Sequence, residues 1–268
     1  MQRDILNFFQ SINKGYIHPK GKKATEILLN ELDPSDGEKI LELGFGTGTS
    51  LIHTFSRNQS IKLFGVEASD LMLKRATSRI KFCGLKEKIT LALIEEDMKI
   101  PFPSDYFDKI YVESVLAIQE EESLKTMLLE LNRVLKPMGI LCINELLWNS
   151  QVSKEKIKAT NLFVKEHFGI IQANGMYPYL SNWNDLLEEN NFRIAKSFNL
   201  NEDCARNSIK GSETTALLLS RIYSFIGKCK SKIIMHFRKE WNSYKIEMKN
   251  IDSQITLDPY FLKIIKTN

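Results

Sequence analysis

Between residues 38 and 145, short apolar runs alternate with longer stretches of helical spacing. Lys39-Ile40-Leu41-Glu42-Leu43 predicts a strand, and the spacing from Thr49 to Phe55 predicts a helix. Ile61 to Val66 predicts a second strand. A helix over 69–82 follows, with the Ser69 hydroxyl placed to cap its first turn. Ile89 to Ile94 and Lys109 to Val112 are the third and fourth strands, the latter preceded by the turn-prone Pro101-Phe102-Pro103-Ser104-Asp105. A long helix over 121–135 is ended by Pro137 and Gly139, because proline cannot continue the ladder and glycine accepts left-handed dihedrals. Ile140 to Ile143 forms a fifth strand. Strand–helix alternation of this kind demands parallel pairing with right-handed crossovers, an open α/β sheet.

Past residue 150 the rhythm breaks. Val152 to Phe168 and Trp183 to Glu189 read as helices, Phe192 to Phe198 as a strand, about 213–249 as a long helical stretch, and Tyr260 to Ile265 as a last strand. The chain divides into an N-terminal helical segment (1–36), an α/β core (37–150), a helical insertion (151–190), and two final strands carrying a long basic helical insertion (191–268).

Composition narrows the class. The 268 residues are 43% hydrophobic and 26% charged, which argues against wholesale disorder, and the net charge of +4 is too mild to imply nucleic acid. Cys83, Cys142, Cys204 and Cys229 form no Cys-x-x-Cys pair, so neither a disulfide framework nor a zinc site is expected, and a reducing compartment suits them. The start has no signal-peptide pattern, and no run approaches the roughly 20 apolar residues of a membrane span. These features together predict a cytoplasmic protein.

The chemistry concentrates at strand ends. In Leu41-Glu42-Leu43-Gly44-Phe45-Gly46-Thr47-Gly48-Thr49 a strand stops, three glycines follow at alternate positions, and a helix begins. Such a turn lets backbone amides approach a ligand, with the positive end of a helix behind them. A dinucleotide fingerprint begun at Gly44 needs glycine at 49, where this chain has threonine, so an oxidoreductase is the weaker reading. Glu42 suits a cationic amino acid moiety. Glu67, at the end of the second strand, can accept both hydroxyls of a ribose, and Asp97, after the third, can take a proton from an adenine amino group.

Glu42 with Gly44, Gly46 and Gly48, then Glu67, then Asp97 resembles the class I S-adenosylmethionine-dependent methyltransferases, in their small-molecule branch. Residues 101–108 and 131–141 resemble stretches common in that branch. The resemblance implies a seven-stranded Rossmann-like α/β sheet with the last strand antiparallel and helical additions around it. It implies S-adenosyl-L-methionine as cofactor, its methionine part held by the glycine turn and Glu42, its ribose by Glu67 and its adenine flanked by Asp97 and Met98. Glu113 and Ser114, ending the fourth strand, fall where the family lines the methyl-transfer centre. Phe45 departs from the small residue often found between the first two glycines.

The lid-like segment Gly15-Tyr16-Ile17-His18-Pro19-Lys20-Gly21 adds Tyr16 as a cofactor-site residue and His18 as a candidate base, alongside Glu113 and Glu145. Trp148, Tyr177, Tyr179 and Trp183 are candidate pocket walls. The place after the fourth strand reads Glu113-Ser114-Val115-Leu116 rather than the Asn/Asp-Pro-Pro-aromatic motif of many amino-methylating enzymes. A Pro-Cys nucleophile and converging cysteines are also absent from the sequence. A small organic acceptor remains by elimination; an RNA or lipid-like acceptor, or a regulatory protein that binds the cofactor without turnover, are the competing readings.

Residues 206–250 hold ten Lys or Arg against three acids. Leu218, Ile222, Phe225, Cys229, Ile233 and Phe237 share one helical face, either packed on the sheet edge or turned to an acidic acceptor, a lipid-like acceptor or an anionic membrane. RNA fits less well, because the aromatics do not interleave with the charges.

Overall fold

The computed structural model describes residues 5–94, 98–202, 214–233, 239, 242–243 and 256–267. Two N-terminal helices, α1 (Ile5–Ser11) and α2 (Lys22–Leu32), lead into β1 (Lys39–Leu43), α3 (Thr49–Arg57), β2 (Lys62–Glu67), α4 (Asp70–Phe82) and β3 (Ile89–Leu93). There follow β4 (Phe107–Glu113), α5 (Glu121–Val134), β5 (Leu135–Trp148), α6 (Lys154–Phe168), α7 (Leu180–Glu189) and β6 (Phe192–Asn199). The helix α8 (Thr215–Ile233) and the strand β7 (Leu257–Lys266) complete the order.

The strands form one sheet in the order β3-β2-β1-β4-β5-β7-β6. β1 pairs in parallel with β2 and β4, β2 with β3, and β4 with β5, whereas β7 runs antiparallel to both β5 and β6. The expected seven-stranded sheet with its last strand reversed is what the chain forms. The order reverses between β1 and β4, and β1 delivers the glycine turn to this edge; in open α/β sheets such a switch point is where ligands bind.

Both faces of the sheet are covered, which is why its central strands read as continuous apolar runs. One core packs α5 and α7 against the sheet through Leu124, Leu128, Leu131, Trp183 and Leu187; the other packs α2, α3 and α4 through Leu28, Leu51, Ile52 and Ile80. Ser69 caps α4 as expected, its hydroxyl accepting from the Met72 amide. The helix α5 stops at Val134, before Pro137 is reached; Leu135 is already extended, and the register with β4 shifts so that 136–139 bulges at the head of β5.

The segment 151–190 is less of an insertion than its sequence suggests. Trp183 is fully buried under the sheet with its indole N–H donating to the Tyr177 carbonyl, and Trp148 is buried with its indole on the Ala173 carbonyl. Tyr179 donates to the Val152 carbonyl, and Tyr177 packs against the main core. These aromatics are fold-building side chains and do not line the glycine turn. Of the long helical stretch expected over 213–249, α8 is described; most of the remainder, and Asp97, lie outside the described residues.

Candidate active site

The glycine turn is shaped by left-handed backbone: φ is +71° at Gly44, +52° at Gly46 and +78° at Gly48. Gly48 stands at the N-cap of α3 without a side-chain cap, leaving the helix start open to a ligand. A Cβ at Gly44 would lie 2.3 Å from Val115 Cγ2, so the turn can meet the loop after β4 only with glycine there. Phe45, the departure from the family pattern, is turned away into the second core.

Acids surround the turn. Glu42 is buried and accepts the Tyr111 hydroxyl at 2.7 Å. Burial, and then the charge of nearby Glu113, hold its carboxyl well above the usual carboxylate range, against the pull of the Tyr111 hydrogen bond. Glu67 Oε2 accepts the Gly46 amide at 2.9 Å, and its Oε1 accepts the amides of Ala68 and Ser69 at 2.9 and 3.0 Å. Burial raises its pKa while these amides oppose the rise. Glu67 therefore ties the turn to the end of β2 and keeps accepting capacity on Oε2.

Glu113 is the hub of a buried polar cluster. Its carboxylate accepts Thr25 Oγ1 (3.0 Å to each oxygen), Ser50 Oγ (2.7 Å) and Asn144 Nδ2 (3.0 Å), and His18 Nε2 lies 3.4 Å away. The other His18 nitrogen, Nδ1, faces the Pro19 carbonyl at 3.2 Å, while Nε2 is 3.0 Å from Thr25 Oγ1. Both imidazole nitrogens thus engage protein partners, and the ring fastens the N-terminal segment to β4. Tyr16 Oη and His53 Nδ1 share a hydrogen bond at 3.1 Å. His53 is a neutral ring, because burial, with Lys22 and Arg57 nearby, drops its pKa to about 4; burial pushes the Tyr16 phenol up.

Glu145 stands apart from this cluster. Its carboxylate accepts the amides of Val115 (3.0 Å), Leu116 (2.9 Å) and Ala117 (3.2 Å), and burial raises its pKa to about 7. It props the loop after β4 from behind. On that loop Ser114 has φ of +57° and a buried hydroxyl with no protein partner. Met98, with φ of +60°, packs at the edge of the main core beyond β3.

One residue that sequence reading missed ties the site together. Arg79 of α4 is fully buried, and its guanidinium donates to Ser220 O and Oγ (3.0 Å each), Ser224 Oγ (2.8 Å) and Asn13 O (2.8 Å), with Thr47 Oγ1 at 3.4 Å. It joins α8, the N-terminal segment and the glycine turn. Its signal is an arginine on the buried face Met72, Ala76, Ile80 of α4. Thr47 also donates to the Lys14 carbonyl at 2.6 Å. Held down this way, residues 15–18 leave a cleft of about 30 Å³ between themselves, Glu42, the glycine turn and Glu113. That is room for a water and far too little for a nucleoside. A larger cavity of about 350 Å³ opens on the outer side of α2 and α3, around Lys22, Glu26, His53 and Arg57.

The residues present fit S-adenosyl-L-methionine. Buried Glu42, whose charge is made costlier by burial and by Glu113, suits a ligand that brings a sulfonium and an ammonium. Thr49 Oγ1 and Ser114 Oγ are buried without protein partners, at the turn and on the facing loop. A methyltransferase-domain family model matches residues 40–139. Over those residues the chain carries a class I S-adenosylmethionine-dependent methyltransferase domain. The methyltransferase is 28% identical over 196 residues to an uncharacterized protein of Haemophilus influenzae, covering 72% of this chain and 73% of that one. It is also 28% identical to the ubiquinone/menaquinone biosynthesis C-methyltransferase of Paraburkholderia xenovorans, over 66% of this chain and 70% of the relative. Among solved structures, a putative sarcosine dimethylglycine methyltransferase from Galdieria sulphuraria shares the fold with a TM-score of 0.64 at 16% identity, covering 97% of both chains. No helix among the described residues is long and apolar enough to cross a membrane.

Proposed function

We propose that this methyltransferase acts on a small organic acceptor, by in-line displacement beneath the lid formed by residues 15–18. The observation that carries this reading is enclosure: Tyr16 and His18 roof the cleft beside the glycine turn, and such a roof, opened far enough to take the cofactor, still obstructs a folded macromolecule. The relative from Paraburkholderia xenovorans, by its name a C-methyltransferase of quinone biosynthesis, supports an acceptor of this size. The unpaired buried cysteines Cys83 and Cys142 fit a cytoplasmic setting.

In this reading Glu42, Gly44, Gly46, Gly48 and Tyr16 hold the methionine part, Glu67 binds the ribose, Asp97 and Met98 flank the adenine, and Ser114 faces the reacting end. The bound cofactor supplies a methyl group already activated by its sulfonium. The chain's own task is orientation and exclusion of water, worth roughly 7–11 kcal/mol in the best model systems. His18 and Glu113 serve as positioning residues that latch the lid, since their polar atoms are engaged with Thr25, Ser50, Asn144 and Pro19. Glu145 positions the loop that carries Ser114. A base at His18 would require Nε2 to leave Thr25 and face the acceptor.

Transfer of labelled methyl from S-adenosylmethionine should reach members of a panel of phenols, hydroxyquinones and amines, and leave RNA and protein unlabelled. Labelling of RNA or protein alone would overturn the small-acceptor assignment. His18→Gln should raise the KM for cofactor with the shape of the kcat–pH profile retained. Loss of an acidic limb from that profile would instead make His18 the base.

A further inference from the structure

Helix α8 is apolar on two sides. The side turned to the protein carries Leu217, buried in the second core, and small residues: Ser220 and Ser224 receive the Arg79 guanidinium, and a Cβ at Gly227 would lie 2.3 Å from the Ile12 carbonyl. The opposite side carries large apolar residues as well. Leu218 is 47% exposed, Ile222 41%, Phe225 66% and Ile226 39%. At 3.6 residues per turn these four fall within one sector about 100° wide. Arg221 and Lys228 border the sector on one side and Lys230 on the other, all three exposed. The sequence of α8 contains four Lys or Arg and no acid, within the strongly basic stretch 206–250.

We propose that α8 lies on an anionic lipid membrane, its apolar sector sunk into the boundary between headgroups and acyl chains and its flanking cations on lipid phosphates. The outward apolar sector supplies the insertion. The cationic margins select the partner, because a helix with basic borders and no acid complements a negatively charged surface better than a neutral one. Lys and Arg stems can lie along the apolar sector while their heads reach the phosphates. The same helix contacts the N-terminal segment through Arg79 and Gly227, so docking of α8 bears on the residues that lead into the roof of the cleft. This docking does not depend on the assignment of the methyl acceptor.

The test is sedimentation of the full chain with vesicles of phosphatidylcholine alone or mixed with phosphatidylglycerol, without cofactor or acceptor. Binding is expected for the mixed vesicles only. It should weaken at least about tenfold in an Ile222→Ser/Phe225→Ser variant, since each large side chain withdrawn from lipid forfeits on the order of tenfold in affinity. It should also fall steeply as salt rises from about 0.1 to about 1 M. Unchanged folding of the variant, read by its thermal midpoint, belongs to the expected result. Absence of vesicle binding would overturn the proposal, as would equal binding by the variant. So would a lowered thermal midpoint in the variant, which would place the sector inside the chain's own fold. A dimer that the variant abolishes would assign the sector to a second copy.

Discussion

Replacing Glu42 by Gln should make the protein more stable and its cofactor binding weaker, two effects of opposite sign from one atom. Glu42 is buried beside Glu113, and its carboxyl is held well above the usual carboxylate range. A carboxyl whose pKa is raised by folding costs nothing below the unfolded value and costs progressively more as pH climbs to the folded value. Each unit of elevation amounts to about 1.4 kcal/mol. Gln keeps an oxygen for the Tyr111 hydroxyl and removes the charge, so stability to urea should rise at pH 8 and change little near pH 4.5. Binding has the other sign. A hydrogen bond between ionised partners contributes about 1.5–3 kcal/mol, so loss of the carboxylate opposite the ligand ammonium should weaken S-adenosylhomocysteine by roughly 10- to 150-fold in calorimetry. If affinity and stability fell together, Glu42 would be a structural support and the cationic-ligand reasoning would fail. Unchanged affinity would remove Glu42 from the site altogether.

Arg79→Met should leave the Asn13 carbonyl buried without its donor, at about 1–3 kcal/mol, and free the lid from α8. Weaker S-adenosylhomocysteine binding with faster proteolysis ahead of residue 20 would show this, and unaltered values for both would refute the clasp. His53→Gln should flatten the acid limb of stability. The histidine pKa falls from 6.5 to about 4 on folding, so its contribution, at most about 3 kcal/mol, is present above pH 6.5 and lost toward pH 4. Urea midpoints across that window should converge for the two proteins at low pH, and parallel curves would contradict the neutral-ring assignment.

The glycine turn and the acids beside it were legible because they are local. Glu42, Gly44, Gly46, Gly48 and Glu67 sit at the ends of strands whose apolar runs announce themselves, and the parallel pairing of β1 with β2 brings Glu67 to the Gly46 amide. The rest depended on partners far away in the chain. Arg79 meets Ser220, and Thr25 meets Glu113, through contacts that no local pattern encodes. Glu145 reads from sequence as a strand-end acid open to catalysis; pairing of β4 with β5 instead places three loop amides on it. On α8 the three-and-four spacing of Leu218, Ile222 and Phe225 is the same whether they face inward or outward. The smallness of Ser220, Ser224 and Gly227 is what lets the opposite side dock. Trp148 and Trp183 went to the core because each found a backbone carbonyl for its indole there.

The clasp around Arg79 also orders events on the ribosome. The glycine turn, its acids and Arg79 itself all precede residue 80, yet the serines and glycine that pin the roof over them come after residue 219. The roof over the turn therefore gains its α8 fastening only after the chain has been made past residue 227, long after the turn that it covers.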